Sequence, residues 1–568
     1  MSKRTFWLML FIVISGAVLR LIFIDKPDGL WNDEYVSWAV ASIPLGKNFI
    51  NAVFAQCHMP FYYLYLKFFI HFFGNGDLLL RLTSVFAGVL SIVSMYFVGK
   101  EFKNEKLAIL CASITALSSF LIYFSQEVRF YELLFFFASL SLLFTLKLGK
   151  KQGLLNFTGY IISNLLIIFT HTIGFIFVFF NLIFVSLWVY KTELQPTNDL
   201  LTPHPNPLSQ GAREQLKTQN QPIIITWGLI FLLSLIGLPL VFKIFTTHSY
   251  SQWWGHFTVS KLGFLITDYF SPILTNIVSA PDNFFQVFSL GFLIFAILPS
   301  LIAIIGLVKA LRVREYKILG LFCVCLAFLS VMIIAAITGK LMFITKYSIE
   351  IYPILIVLVC FGWLEFRKKQ AVALISLFCL LNLFYLIVSP ISAPKLRRSE
   401  GHKIVAELIK NADLKKGDFI LLNYYSQDRF EKYFDFSQYN VISINKANFG
   451  QYLGMDSQTA LSKDKETYKK VFAGFDNKYF DEKFKNEVTN SLKPNQKLAV
   501  VILKDVALYS PMQMHVITGN EQEYEKTPFL FLVFSHLRNQ IMKESLKNLQ
   551  ILRIEEKGSW MVVTFAKK

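Results

Sequence analysis

The chain has 568 residues, of which 54% are hydrophobic and 16% aromatic, and its mean hydropathy is +0.48. These values exclude an ordinary soluble protein of this length and predict a mainly α, polytopic membrane protein. The formal net charge of +18 does not indicate nucleic-acid binding, because the basic residues fall between hydrophobic runs and not on one polar face. The predicted surroundings are therefore a lipid bilayer.

Hydrophobic runs of the roughly 20 residues that a bilayer requires occur about eleven times. The first run begins after Lys3 and Arg4 and has no small-residue cleavage site behind it, which predicts an uncleaved anchor with a cytoplasmic N-terminus. The predicted spans are 5–24, 78–98, 107–124, 131–148, 155–171, 173–190, 223–245, 286–308, 317–337, 348–365 and 371–389.

Basic residues cluster in every second connection between these spans, which matches the positive-inside rule. Alternation from a cytoplasmic N-terminus then predicts which segments face the other side of the membrane. These are 25–77, 125–130, 246–285, 338–347 and everything after 390. The expected location is the inner (plasma) membrane, with the unusual polar residues on the extracytoplasmic, periplasmic face.

Composition divides the chain into two predicted domains, a transmembrane domain over 1–390 and a soluble extracytoplasmic domain over 391–568. Within the first, 191–222 is rich in Pro, Asn, Gln and Thr and predicts a flexible cytoplasmic loop. The second has the pattern of a small α/β or α+β domain. Its predicted elements are an amphipathic helix and a buried strand within 402–425, a strand over 497–504, a helix over 534–549 and a terminal hairpin that turns at Lys557 and Gly558.

The stretch "GLWNDEYVSW" places two adjacent carboxylates, Asp33 and Glu34, just beyond the first span. They are either the polar rim of a helix end or a reactive pair. Trp31, Tyr35 and Trp38 flank them and predict an interfacial segment at the depth of the lipid headgroups. A carboxylate held at that depth can deprotonate an acceptor hydroxyl arriving from the aqueous side.

Further ionisable residues lie on the same predicted face, where charge near the hydrocarbon is costly and often functional. His58 precedes an aromatic run, and His171 lies where two spans almost meet. Glu127, Arg129 and Tyr131 form an i, i+2, i+4 set at another tight junction. The alternatives are hydrogen-bonded structural histidines and a buried Glu–Arg ion pair.

Lys340 and Lys346 occupy the face on which the positive-inside rule predicts few cations. A snorkelling lysine is the ordinary explanation; a phosphate-binding role is the alternative. Carboxylates that activate a nucleophile, together with cations that stabilise a departing phosphate, fit sugar transfer from a polyprenyl-phosphate donor.

The order of these motifs resembles the GT-C superfamily of polytopic glycosyltransferases, in particular bacterial relatives of the family 39 protein O-mannosyltransferases and the aminoarabinose transferases that modify lipid A. The resemblance covers roughly residues 5–390. It rests on "AVLRLIF" with Arg20, the acid pair at 33–34, "HMPFYYLYL", "SQEVRFYELL" and "TKYSIEIYPILI". Met59 replaces an expected proline, and Lys346 stands where the family usually has arginine.

The resemblance implies a role for each residue that matches a family motif. Asp33 would be the catalytic base, with Glu34 beside it to position acceptor or water. Glu127 would be a second acidic residue that orients the site or binds a divalent metal cation, for which His171 and His58 are further candidate ligands. The donor phosphate would be bound by Arg129, Lys346, His58 and Tyr131.

The sequence therefore predicts an inverting membrane glycosyltransferase of the cell envelope, active in protein glycosylation or lipid modification. It would transfer a hexosyl or pentosyl group from a lipid-linked donor to an acceptor protein, lipid or glycan. The alternative is a transporter or flippase that binds the same headgroup without breaking a bond. Transporters usually carry ionisable residues near the bilayer midplane or show paired repeats, and the sequence has neither pattern.

Overall fold

The computed structural model describes part of the chain. The described residues are 2–193 apart from 23, 27, 28, 57 and 152; 298–367 apart from 339–342; 401–423, 430–444, 490–503 and 549–567 apart from 558 and 559; and the single residues 228, 269, 369, 370, 373, 376, 380, 427 and 486. Most of the predicted spans 223–245 and 371–389, of the loops 191–222 and 246–285 and of the predicted helix 534–549 lies outside them, and so does Lys340.

The chain forms two compact units. The first comprises Met1–Asp25, Val36–Asn276 and Asp282–Ser392, and the second comprises Lys26–Tyr35, Ile277–Pro281 and Ala393–Lys568. The acid-bearing segment of the first predicted loop is thus counted with the C-terminal part of the chain.

The first unit is mainly helical. The helices up to 193 are α1 (Lys3–Leu21), α2 (Asn32–Ser42), α3 (Lys47–Ala55), α4 (Pro60–Phe73), α5 (Asp77–Phe102), α6 (Glu105–Leu117), α7 (Ser119–Ser125), α8 (Tyr131–Leu148), α9 (Leu154–Thr170) and α10 (Gly174–Glu193). The first turn of α2 is counted with the second unit. Residues 298–312 are also helical, and α11 (Tyr316–Ile337), a 3₁₀ segment (Thr345–Ile351) and α12 (Tyr352–Trp363) follow.

Five helices in the described part are long and apolar enough to cross a membrane, and the bent pair α6–α7 makes a sixth if it counts as one span. The five are α1, α5, α8, α11 and the run Thr345–Trp363. The protein is therefore a multi-pass membrane protein. Two shorter apolar helices, α9 and α10, coincide with the predicted spans 155–171 and 173–190. The predicted number of about eleven spans stays a prediction.

Arg20 joins the first span to the bend between α6 and α7, where Ser118 separates two helices that meet at 56°. A helix end leaves carbonyls without intrahelical donors. Arg20 is fully buried and donates from Nη2 to the Thr115 carbonyl over 3.0 Å and from Nη1 to the Ala116 carbonyl over 3.1 Å. Its Nε donates to Ser125 Oγ over 3.0 Å. The arginine that the sequence marked as a family feature thus stabilises a broken span.

Helices α2 to α4 lie between the first two spans and are too short to cross a bilayer. Pro60 starts α4 in its first turn, where its missing N–H costs nothing. Phe68, Phe72 and Phe73 of α4 are exposed, as expected of a helix that contacts lipid at the membrane surface.

Amide and hydroxyl side chains hold α8, α9 and α10 together. Ser141 Oγ donates to Asn164 Oδ1 over 3.0 Å and accepts from Asn181 Nδ2 over 2.8 Å. All three side chains are buried. Interhelical hydrogen bonds of this kind assist helix packing where the surrounding lipid is as apolar as the side chains.

The second unit contains a five-stranded mixed sheet of order β2-β1-β3-β5-β4. Its strands are β1 (Phe419–Asn423), β2 (Asn440–Ile444), β3 (Lys497–Leu503), β4 (Leu549–Lys557) and β5 (Trp560–Lys567). Strand β1 pairs in parallel with β2 and β3, whereas β3 with β5 and β4 with β5 are antiparallel. The strand predicted at 497–504 is confirmed, and so are the two strands of the terminal hairpin. Leu549, predicted as the end of a helix, begins β4 instead, because it pairs with Lys567.

Helix α13 (His402–Asn411) covers one face of this sheet. Its apolar side, including Val405 and Leu408, is buried in a core shared with Ile420, Val501 and Val562. Residues of this side recur three and four positions apart, which is the period of an amphipathic helix. The predicted amphipathic helix is confirmed.

Candidate active site

The acid pair occupies the first turn of α2. Glu34 is fully buried, and its Oε2 accepts a hydrogen bond from the Trp31 backbone N–H over 3.2 Å. A glutamate at the third helical position that reaches back to the residue before the helix forms half of a capping box. Asp33 remains partly exposed. The two neighbouring carboxylates therefore differ: Glu34 helps to fix the helix start, and Asp33 is the more accessible of the two.

Glu127 and Arg129 lie in the tight turn between α7 and α8, and both side chains are buried. The turn is held from α5, where Ser84 Oγ donates to the Glu127 carbonyl over 2.6 Å. Arg129 Nη1 donates to Ser37 Oγ over 3.3 Å. Among the described residues, Glu127 Oε1 has no hydrogen-bond partner. The turn thus presents a buried acid and a cation tied to α2.

Four rings beside this turn form a cluster made of His58, Phe130, His171 and Tyr347. The ring of His171 stacks on Phe130 at 4.5 Å and on Tyr347 at 5.7 Å between ring centres. His58 lies edge-on to Phe130 at 5.0 Å and 5.7 Å from His171. His58 and His171 are therefore neighbours, although they are 113 positions apart in the sequence.

Two cations lie on the ring of Tyr131, next to this cluster. The Arg129 guanidinium is 5.8 Å from the ring centre, and Lys346 Nζ is 5.3 Å from it. Arg129 also lies 5.0 Å from the Phe130 ring. Both positive charges thus lie near one ring, and an anion close to that ring would be attracted by both.

Positive charge also acts on His58. Burial of the ring, with the nearby charges of Arg129, His171 and Lys346, holds the pKa of His58 well below its ordinary value. His58 Nδ1 and the Tyr63 hydroxyl are 2.7 Å apart and share a hydrogen bond. A histidine kept neutral beside two cations can donate or accept a hydrogen bond without adding charge.

Comparison with known proteins gives a fold and no sequence family. No family model matches the sequence, and no curated protein matches it. The structure of ArnT from Cupriavidus metallidurans in the apo state is similar with a TM-score of 0.51 at 12% identity, over 99% of this chain and 98% of that chain. The chain has the GT-C fold. The resemblance predicted from the sequence is confirmed at the level of the fold.

Two other solved structures match the chain with lower scores. The archaeal oligosaccharyltransferase AglB from Archaeoglobus fulgidus gives a TM-score of 0.44 at 11% identity, over 88% of this chain and 70% of that chain. The protein O-mannosyltransferase Pmt1-Pmt2 complex from S. cerevisiae gives 0.32 at 15% identity, over 44% of this chain and only 36% of that chain. The fold assignment rests on ArnT alone.

The fit of a divalent metal depends on how many ligands the described residues bring together. The part of the chain that the structure describes holds no group of three or more His, Cys, Asp and Glu side chains that could bind one ion. His58 and His171 make a pair, and two cations lie near them. The described residues therefore fit an anion better than a metal, and ligation by Glu127 and His171 stays a prediction.

The structure brings together five of the residues predicted from the sequence, namely His58, Arg129, Tyr131, His171 and Lys346. Sequence reasoning missed Ser37 and Phe130. Ser37 carries no signal of its own, because a serine on an interfacial helix is ordinary. Phe130 had one, since it lies between Arg129 and Tyr131 in the junction motif.

Proposed function

We propose that this protein is a membrane glycosyltransferase that moves a sugar from a polyprenyl-phosphate donor to an acceptor hydroxyl on the extracytoplasmic side. The observation that carries the proposal is the pair of cations, Arg129 and Lys346, on the ring of Tyr131. A phosphate is the anion that such a pair suits, and arginine can bind it with two parallel hydrogen bonds. The GT-C fold supports the same reading.

In the proposed reaction, the Asp33 carboxylate takes the proton of the acceptor hydroxyl as its oxygen attacks the anomeric carbon. The bond between that carbon and the phosphate oxygen breaks, and its electron pair stays with the polyprenyl phosphate. In-line displacement inverts the anomeric carbon. The departing phosphate gains negative charge, which fixed cations stabilise without reorganisation.

Helix α2 supports a link between base and cations. It carries Asp33 in its first turn and Ser37, the partner of Arg129, one helical turn later. Glu34 fixes the start of the same helix, and Glu127 supplies a further buried acid. His58 and Tyr131 complete the proposed phosphate site.

The transferred group is proposed to be a hexosyl or pentosyl unit, and the acceptor a protein, a lipid or a glycan. The proposed location is the inner membrane, with the active site and the C-terminal unit in the periplasm or outside the cell. A flippase for a lipid-linked sugar is the second candidate.

The test uses membranes that contain the protein and a polyprenyl-phosphate sugar labelled in the sugar. Transfer predicts label on an acceptor together with an equal amount of free polyprenyl phosphate, and neither product in membranes without the protein. A flippase would move the intact labelled lipid between leaflets and release no polyprenyl phosphate, which would contradict the proposal.

A further inference from the structure

Leu30 precedes the acid pair, and both its backbone N–H and its carbonyl form hydrogen bonds with the C-terminal part of the second unit. The Leu30 N–H donates to the Tyr433 hydroxyl over 2.8 Å. The Leu30 carbonyl lies 3.3 Å from His402 Nδ1. Since a carbonyl only accepts, Nδ1 must carry the proton. Leu30 is fully buried, the bond to His402 is buried, and the bond to the partly exposed Tyr433 is part-buried.

Gly29 shows how closely the segment before the acid pair approaches Tyr433 and α13. Its φ is +86°, a conformation that favours glycine. A Cβ placed on it would lie 2.7 Å from the Tyr433 hydroxyl oxygen and 2.8 Å from Lys403 Cβ. No other residue fits there without displacing Tyr433 or α13.

The two holding residues are themselves fixed by the core of the second unit. His402 is fully buried at the start of α13 and lies edge-on to Phe430 at 5.3 Å. The Tyr433 ring packs against the core of α13 and the sheet. His402 also lies edge-on to Tyr35 at 5.9 Å, one residue beyond the acid pair. Tyr433 and His402 thus contact the chain on both sides of Asp33.

The contacts of Leu30 also affect the start of α2, because the adjacent residue, Trp31, forms hydrogen bonds with the first turn of that helix. Trp31, next to Leu30, donates its N–H to Glu34 Oε2, and its carbonyl accepts from the Tyr35 N–H over 2.8 Å. Any shift of Leu30 therefore moves the cap and first turn that carry Asp33. We propose that Tyr433 and His402 are positioning residues, through which the C-terminal unit sets the placement of Asp33 for sugar transfer.

The proposal rests on the proposed function, and it gives the C-terminal unit a task that its sequence did not indicate. A misplaced catalytic group loses rate even when the substrate still binds: a displacement of about 1 Å can cost on the order of a hundredfold. Tyr433 and His402 should therefore affect kcat and leave the KM for the donor unchanged.

The test compares Tyr433→Phe with Tyr439→Phe in the full-length protein. Both tyrosines pack against the same core, but the structure gives only Tyr433 a bond to the acid-bearing segment. We expect Tyr433→Phe to lower kcat about tenfold or more, with the donor KM within about twofold of wild type, and Tyr439→Phe to behave as wild type. Equal kcat in the two variants would overturn the proposal, and so would a Tyr433→Phe effect confined to KM.

Two further readouts separate a positioning role from a general loss of structure. Amide hydrogen exchange in the peptide 29–36 should accelerate in Tyr433→Phe and not in Tyr439→Phe. In an Asp33→Asn background, Tyr433→Phe should lower the residual rate no further, because it acts through Asp33. His402→Asn, which keeps a donor for the Leu30 carbonyl, should retain more activity than His402→Ala.

Failure of the inference can be told from failure of the proposed function. If Asp33→Asn transferred sugar at the wild-type rate, the proposed base would be wrong whatever the exchange data showed. If Asp33→Asn were inactive while Tyr433→Phe left both exchange and kcat unchanged, the proposed function would stand and the positioning role would fall.

Discussion

Lys346 Nζ lies 5.3 Å from the centre of the Tyr131 ring. The guanidinium of Arg129 lies 5.8 Å from the same ring, so one aromatic side chain places two cations whose sequence positions are far apart. A ring face attracts cations through its quadrupole, which helps Tyr131 to hold both charges in a fixed arrangement. This arrangement is the basis of the proposed phosphate site.

Replacement of Lys346 should weaken donor binding. Lys346→Met removes one charge from the pair, and a hydrogen bond to a charged group contributes about 1.5 to 3 kcal/mol. The apparent Kd for a polyprenyl-phosphate lipid should rise about tenfold to a hundredfold. Lys346→Arg should retain affinity, because arginine keeps the charge and can bind phosphate with two parallel N–H groups. Lys151→Met, on an exposed loop, is the control, and an equal loss there would contradict the assignment.

Ser37→Ala tests the bond that ties Arg129 to α2. A single hydrogen bond contributes about 0.5 to 1.5 kcal/mol, so donor affinity should fall up to about tenfold. Ser42→Ala is the matched control, because Ser42 lies on the same helix and donates to the Trp38 carbonyl within that helix. The readout is lipid binding in detergent. Unchanged affinity in Ser37→Ala would mean that Arg129 needs no support from α2.

Arg20 should matter for stability and not for chemistry. Arg20→Ala leaves the Thr115 and Ala116 carbonyls at the α6–α7 bend without their donor. A buried acceptor left without a donor costs about 1 to 3 kcal/mol. The midpoint temperature of thermal aggregation in detergent should be lower for Arg20→Ala than for wild type. The midpoint for Arg20→Lys should lie between those of Arg20→Ala and wild type. A heat-stable Arg20→Ala protein would refute the structural role.

His58 should make the protein less stable in acid. Its pKa is well below the ordinary value in the folded state, whereas in the unfolded chain it is about 6.5. Below about pH 6.5 the unfolded state binds a proton that the folded state does not, so this contribution to stability is present at neutral pH and is lost as pH falls. The slope is at most about 1.4 kcal/mol per pH unit.

Thermal unfolding of wild type and His58→Gln between pH 5 and 7.5 measures this slope. The variant should lose less stability in acid than wild type. His71→Gln changes an exposed histidine of α4 and should leave the acid sensitivity of wild type intact. Parallel curves for wild type and His58→Gln would exclude His58 as the source.

Reporter fusions test the predicted orientation. A fusion at Lys568 should report the extracytoplasmic side, and one within 191–222 should report the cytoplasm, as the positive-inside rule predicts. A cytoplasmic signal at Lys568 would reverse the proposed placement of the whole site.

Local sequence patterns predicted much of the fold. Apolar runs located α1, α5, α8 and α11, and a short apolar segment located β3. The capping contact of Glu34 also follows a local spacing, three residues after Trp31, although it was not predicted. These features depend on residues within a few positions of one another.

Contacts between distant residues could not be predicted in this way. Arg20 was recognised as a motif, yet its partners Thr115 and Ala116 lie about a hundred positions away and become acceptors only because α6 ends there. The bonds from Leu30 to Tyr433 and His402 cross some 400 positions. A tyrosine and a histidine in an otherwise ordinary α/β segment give no sign of such partners.

The most direct test of the account is sugar transfer by purified Asp33→Asn, assayed beside Asp25→Asn. Both substitutions remove one carboxylate near the end of the first span, and Asp25 is exposed. Loss of a general base costs about a hundredfold to ten-thousandfold in rate. We expect Asp33→Asn to bind the donor as wild type does and to transfer sugar at least about a hundredfold more slowly, with Asp25→Asn fully active. Transfer by Asp33→Asn at the wild-type rate would contradict the central claim.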